Sequence, residues 1–207
     1  MRRRIRNQSS KESFLDDSLP SIFLIGYRGS GKTCVGTALA RKLGFPFHDT
    51  DLWIESRCGK TIAQYFAEAG EPAFRCLESE ILEGLLEKVR AGEKMVLATG
   101  GGIVLSSQNV ARLRAAGHVV WLVASVTALK ERIRRDPVSG TKRPPLQGQS
   151  SVDEVERVLK DREPLYRAAA HTQISVEGLS PDGAAARILE AVSRKLPSCR
   201  SSDGEGE

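Results

Sequence analysis

Gly26-Tyr27-Arg28-Gly29-Ser30-Gly31-Lys32-Thr33, directly after the apolar run Ile22-Phe23-Leu24-Ile25, is the stretch from which the fold can be read. It has the form G-x-x-x-x-G-K-[ST]. It lies between a segment apolar enough for a buried strand and one that puts Val35, Leu39, Ala40 and Leu43 on one helical stripe. Gly26, Gly29 and Gly31 let the backbone curl until its N–H groups point inward at an anion, and the helix starting near Lys32 adds its positive dipole end. Lys32 is placed to reach β- and γ-phosphates as a point charge, and the Thr33 hydroxyl to ligate Mg²⁺. The expectation is a nucleotide site; what is done with the nucleotide has to come from the rest of the chain.

The remainder alternates strand and helix patterns, which predicts a parallel α/β sheet. Strands are expected at Ile22–Ile25, Phe45–Asp49, Met95–Ala98, His118–Val123 and Thr172–Val176. Helices are expected over Lys32–Leu43, Leu52–Cys58, Ile62–Ala69, Pro72–Arg90, Gln108–Ala116, Val126–Arg135 and Ala184–Leu196, with one more running from about Val152 into Arg162-Glu-Pro-Leu-Tyr166. A length of 207 residues suits one such domain, expected over residues 21–196, with polar and disordered tails at 1–20 and 197–207. The stretch 136–150 breaks the pattern, being rich in Pro, Gly, Ser and charge and carrying Arg143-Pro-Pro-Leu146. A run of that length without a period reads as a lid.

Net charge is +5, and the tails contribute +2 and −2, so the whole excess sits on the body of the chain. A basic body without a stripe of interleaved aromatics fits a small anionic ligand better than nucleic acid. No apolar run reaches the length of a membrane span, and the basic start Met1–Arg6 is followed by no apolar core of a signal peptide. Cys34, Cys58, Cys76 and Cys199 show no CxxC pair and no histidine at ligand spacing, which reads as reduced thiols in the cytoplasm. No apolar helix face is left over, so a monomer is expected.

Four further groups can carry chemistry. Asp49 and Asp51, two apart on an extended strand end, would face the same side, one near Mg²⁺ and one near a hydroxyl; alternatively Asp51 caps the helix that follows. Arg75 and Glu78 share a helix face, either as a surface pair or with Glu78 holding Arg75 for a substrate carboxylate. Gly100-Gly101-Gly102 after a strand end suggests backbone N–H groups offered to a ligand. Arg143 and Arg162 would supply positive charge, Arg143 arriving with the lid to neutralise a migrating phosphoryl group.

In that order, G-x-x-G-x-G-K-[ST], D-T-D, F-R-x-x-E, G-G-G, R-P-x-L and R-x-P-L-Y, the chain resembles the shikimate kinases over about residues 21–195. The resemblance implies a P-loop nucleoside-monophosphate-kinase-like sandwich of three layers, with a five-stranded parallel sheet, helices on both faces and a mobile lid. It implies ATP- and Mg²⁺-dependent phosphorylation of the shikimate 3-hydroxyl, towards chorismate and the aromatic amino acids. On that resemblance Gly29, Ser30, Gly31, Lys32, Thr33 and Cys34 would hold ATP, with Arg135 on the adenine and Arg143 on the transferring phosphate. Thr33 and Asp49 would hold Mg²⁺; Asp51, Arg75, Glu78, Gly100, Gly101, Gly102 and Arg162 would form the shikimate site, with Lys32, Asp51 and Arg143 catalytic. Residues Ser175–Pro181 match the family's adenine-side loop without the basic residue that some members have there, and Cys34 stands where many have Thr. Competing expectations are a kinase of the same core for another hydroxy acid such as gluconate, and a non-catalytic binding protein.

Overall fold

The computed structural model describes residues 19–135 and 154–195; the expected lid, Arg143, Cys199 and the expected tails lie outside them, except for Leu19 and Pro20, of which Leu19 is buried in the core. β1 (Ile22–Ile25) is buried along its whole length, as a strand covered on both faces must be. It is the centre of a five-stranded sheet of order β2-β3-β1-β4-β5, in which β2 is Phe47–Asp49, β3 Val96–Ala98, β4 His118–Val123 and β5 Thr172–Ser175. Every pairing is parallel, with Ile22 in register with both Val96 and His118, and Asp49 with Ala98.

Alternation along β1 divides the core. Ile22 and Leu24 point to one face, where they meet Val35 and Leu39 of α1 (Lys32–Leu43), and Ile188 and Val192 of a closing helix at Pro181–Ser193. Phe23 and Ile25 point to the other. There they meet Leu82 and Leu86 of the long helix Ile62–Arg90, Leu113 of the helix Ser107–Ala116, and Tyr166 of the helix Glu154–Ala169. In chain order the helices are α1, α2 (Thr50–Cys58), α3 (Ile62–Arg90), α4 (Ser107–Ala116), α5 (Val126–Arg135), α6 (Glu154–Ala169) and α7 (Pro181–Ser193). A third, smaller cluster of Ile54, Ile62 and Phe74 fastens α2 to α3 beside the sheet.

Local chemistry explains the boundaries. Thr61 and Gln64 form a reciprocal capping box at the start of α3. The two helices expected at 62–69 and 72–90 appear as one with a break at Gly70, whose φ of 79° and ψ of 171° are not helical, and Pro72 begins the second part. α7 starts three residues earlier than expected because Ser180 caps it and Pro181 takes its first position. α2 also starts early, at Thr50. Its cap is Asp49, whose side chain accepts the Asp51 N–H, so the expected cap Asp51 is in fact in the first turn.

At the edge where the strands begin, His118 Nε2 lies 2.8 Å from Thr172 Oγ1, and His171 Nδ1 accepts the Val119 N–H at 3.0 Å. Burial, with the charges of His171 and Lys195 nearby, lowers the His118 pKa from 6.5 to about 4. His171 is lowered as well, by burial and by Arg114 and Lys195. A folded pKa below the unfolded one means that the unfolded chain binds the proton more readily between the two values. Stability therefore falls as pH drops through that window. Urea unfolding from about pH 7 to about pH 4.5 should show this loss, and His118→Gln should have a shallower slope than wild type. An unchanged slope would remove His118 as a cause.

Candidate functional site

A parallel sheet has all its carboxyl ends on one edge, so the turns after β1, β2 and β3 meet there. After β1, Gly26, Gly29 and Gly31 have φ of 144°, 80° and 91°, a backbone that other residues rarely adopt. A Cβ at Gly26 would lie 2.8 Å from the Leu122 carbonyl oxygen. Gly31 caps α1 without any side-chain hydrogen bond, which leaves the first-turn N–H groups facing the loop. Lys32 is buried, its Nζ donating to the carbonyls of Gly26 at 2.8 Å and Tyr27 at 3.0 Å. The Ser30 hydroxyl is buried inside the loop, and its oxygen has no hydrogen-bond partner. An orphaned buried hydroxyl, a buried ammonium and uncapped helix amides fit a phosphate chain. Cys34 is exposed in the first turn.

After β2, the two oxygens of Asp49 are divided. Oδ2 accepts from the Thr33 hydroxyl at 2.8 Å, and Oδ1 caps α2 at 3.0 Å. The expectation that Asp49 and Asp51 share a face of an extended strand end is corrected here: the chain turns helical between them. The hydroxyl–carboxylate pair is a set of hard oxygen donors of the kind that suits Mg²⁺. Among the described residues no group of three or more His, Cys, Asp or Glu side chains could hold a metal. Mg²⁺ held by two side chains and substrate phosphates needs no such group.

After β3 comes the triple glycine, and the structure adds a second reason for it besides the expected N–H donors. None of the three has a positive φ. What they provide is room. A Cβ on Gly100 would lie 2.6 Å from Glu78 Oε1 and 3.1 Å from Asp51 Oδ1, and one on Gly102 would lie 2.4 Å from the Arg75 guanidinium. The loop is a floor on which three charged side chains rest. Gly100 N–H donates to Thr50 Oγ1 at 2.9 Å, tying this floor to the start of α2. Gly101 backs onto the phosphate loop, its Cβ position being 3.4 Å from Gly26 O and Arg28 N.

Arg75 Nη1 donates to Glu78 Oε2 at 2.8 Å and Nη2 to Glu71 Oε1 at 3.2 Å, with the guanidinium 5.1 Å from the Phe74 ring centre. Glu78 is 1% exposed, which excludes the reading of a surface ion pair. Burial pushes its pKa up, against the pull of Arg75 and Arg162. Its Oε1 has no hydrogen-bond partner. From α6, Arg162 Nη1 reaches the Gly101 carbonyl at 3.4 Å, and the Tyr166 hydroxyl donates to the same oxygen at 2.5 Å. Two arginines from different helices thus converge on one glycine loop.

Arg135, expected on the adenine, points away from the body of the protein. It is 78% exposed and pairs with Glu131 at 2.6 Å. The arginine of α5 that reaches the phosphate loop is Arg132, which donates to Gly29 O at 3.2 Å; Glu177, its pKa lowered chiefly by the Ser125 hydrogen bonds, is near enough for Arg132 to lower it further. Helical phase could have found it: Leu129 and Ile133 are the buried residues of α5, and Arg132 follows Leu129 by three positions. Tyr166, also missed as a site residue, gave only its place in R-x-P-L-Y as a signal.

Comparison with known proteins gives one answer. The family model for shikimate kinase matches residues 28–193. A shikimate kinase of Paracidovorax citrulli is 48% identical over 158 residues, which is 76% of this chain and 82% of that protein. Shikimate kinase 2 of Enterobacter sp. (strain 638) is 40% identical over 171 residues, 83% of this chain and 94% of the relative. Among solved structures, the shikimate kinase of Acinetobacter baumannii in complex with shikimate matches with a TM-score of 0.79 at 37% identity, covering 87% of this chain and 97% of that one.

The floor makes a test by packing alone. Gly100→Ala should destabilise by about 1–3 kcal/mol, because Glu78 is buried and paired and has little room to yield. Gly84, in α3 with nothing within 4 Å of its Cβ position, is the control. Gly84→Ala should stabilise by roughly 0.5–1 kcal/mol. Urea unfolding of both reads the two signs, and a neutral Gly100→Ala would contradict the close packing.

Proposed function

The chain belongs to the shikimate kinase family, and from that premise we propose how its own residues move the γ-phosphoryl group of ATP to the 3-hydroxyl of shikimate. The enzyme phosphorylates shikimate to shikimate 3-phosphate in an ATP- and Mg²⁺-dependent reaction. The observation that carries the residue assignment is the convergence of Arg75 and Arg162 on the Gly100–Gly102 floor, beside Asp51.

The shikimate carboxylate sits between the two guanidiniums. Glu78 holds Arg75 at 2.8 Å, and Glu71 steadies it from the other side, so the fork meets the acid already oriented. The amides of Gly101 and Gly102 donate to no other described residue, which leaves them for substrate oxygens. Asp51, over Gly100, orients the ring hydroxyls and accepts the proton of the attacking one.

On the donor side, Lys32 exchanges the carbonyls of Gly26 and Tyr27 for β- and γ-phosphate oxygens, trading one set of acceptors for a charged one. The Ser30–Cys34 amides and the Ser30 hydroxyl bind the phosphate chain. Arg132 takes the base-side position expected of Arg135. Thr33 and Asp49 hold Mg²⁺, which when bound neutralises phosphate charge and orients the γ-phosphoryl group. Arg143, by its R-P-x-L motif, meets the transferring phosphate as the segment around it excludes water. Transfer is then a matter of alignment and charge neutralisation with no covalent enzyme intermediate. Action as a cytoplasmic monomer belongs to the same proposal. In support, no helix among the described residues is long and apolar enough to cross a membrane.

A coupled ADP-release assay tests this, with shikimate, gluconate and other hydroxy acids as acceptors. Turnover should require shikimate; turnover that shikimate does not stimulate would overturn the reading. Arg162→Ala should raise the shikimate KM by about tenfold or more, while Arg143→Ala should act chiefly on kcat. Asp51→Asn should lower kcat by about a hundredfold or more. Arg132→Ala should raise the ATP KM about threefold or more, with Arg135→Ala close to wild type.

A further inference from the structure

We infer that Tyr166 is a positioning residue of the acceptor site, its hydroxyl holding the Gly101 carbonyl so that the Gly102 amide in the same peptide plane stays aimed at the substrate. The inference rests on the functional reading above and adds a residue to it.

Tyr166 lies on α6 one helical turn beyond Arg162, and its side chain is fully buried. Its ring stacks on Trp121 of β4, with centroids 5.8 Å apart and planes inclined by 20°. The stack leaves the phenol one direction in which to point, and there its hydroxyl donates to Gly101 O at 2.5 Å. Burial pushes the phenol pKa far up, so it is a donor at every working pH. Among the described residues no peptide bond is cis. In a trans peptide the C=O and the next N–H point in opposite directions. Drawing Gly101 O towards α6 therefore turns the Gly102 N–H away from α6, to the side where the Arg75 guanidinium lies against Gly102.

The second donor to that carbonyl gives the arrangement its consequence. Arg162 Nη1 reaches Gly101 O at only 3.4 Å. A substrate carboxylate is a stronger partner than a carbonyl, so binding draws Arg162 off. Tyr166 is then the donor that remains. Without its hydroxyl the carbonyl keeps Arg162 as its one strong partner, and the substrate has to compete for the guanidinium. Loss of the phenol oxygen should thus weaken shikimate specifically, although the atom lies outside the substrate's reach.

Tyr166→Phe keeps the stack on Trp121 and removes only the hydroxyl. Its shikimate KM should rise about fivefold to tenfold, with the ATP KM within about twofold of wild type. Combined with Arg162→Ala, the two effects on shikimate KM should be clearly less than multiplicative, since both act through one carbonyl. A merely structural hydrogen bond would lower the melting temperature and leave the shikimate KM of the folded enzyme unchanged. That result, or full multiplicativity in the double variant, overturns the inference. Should the variant not fold, hydrogen exchange in the wild type decides. The Tyr166 hydroxyl proton should stay protected from exchange when shikimate binds, and a hydroxyl that shikimate sets free overturns the inference. A wild type that turns over without need of shikimate would fail the functional reading itself, whereas shikimate-dependent turnover with an unshifted variant fails only the role of Tyr166.

Discussion

Everything at this site depends on the burial of Glu78. A carboxylate that is 1% exposed, with one oxygen lacking a partner, is costly to hold. It is held by Arg75 at 2.8 Å, with Arg162 adding its field, while burial pushes its pKa up. Removing Arg75 would leave Glu78 buried without its ion-pair partner, with only the more distant charge of Arg162 to offset it. The local arrangement of cations is therefore set before any acid arrives. The glycines follow from the same constraint, because a side chain at position 100 would occupy the space of Glu78 Oε1 and one at 102 that of Arg75.

The sheet supplies the frame for that cluster. Because all five strands run in one direction, the phosphate loop after β1, Asp49 at the end of β2 and the glycine floor after β3 share one edge. The strand order sets β3 directly beside β1, so that Gly101 touches the backbone of Gly26 and Arg28. The phosphate loop and the glycine floor are in this way neighbours through backbone contact. α6 brings Arg162 and Tyr166 to the glycine floor, and α5 reaches the phosphate loop with Arg132.

Much of this was legible in the residues. The apolar runs and helical stripes placed all five strands and nearly every helix, because hydrophobic period is a strong signal in a sheet buried on both faces. The motifs named the acceptor. Less legible were features that depend on a turn's direction or on contacts distant in sequence. Asp51 and Asp49 are both good helix caps, and only the backbone shows that the helix starts at Thr50. The glycine triplet suggested ligand contact on its own, while the side chains that need its space come from α2 and α3. Arg135 was expected at the nucleotide by resemblance alone, whereas the phase set by Leu129 and Ile133 brings Arg132 to the phosphate loop. Arg143 and the stretch 136–150 lie outside the described residues.

The central claim is that two preset arginines on a glycine floor select an acceptor by its carboxylate. Calorimetric titration with shikimate and with its methyl ester, which keeps the ring hydroxyls and loses the charge, tests it most directly. Shikimate should bind at least about thirtyfold more tightly than the ester, the loss expected when one member of a buried charge pair is removed. Equal affinities for the two would contradict it.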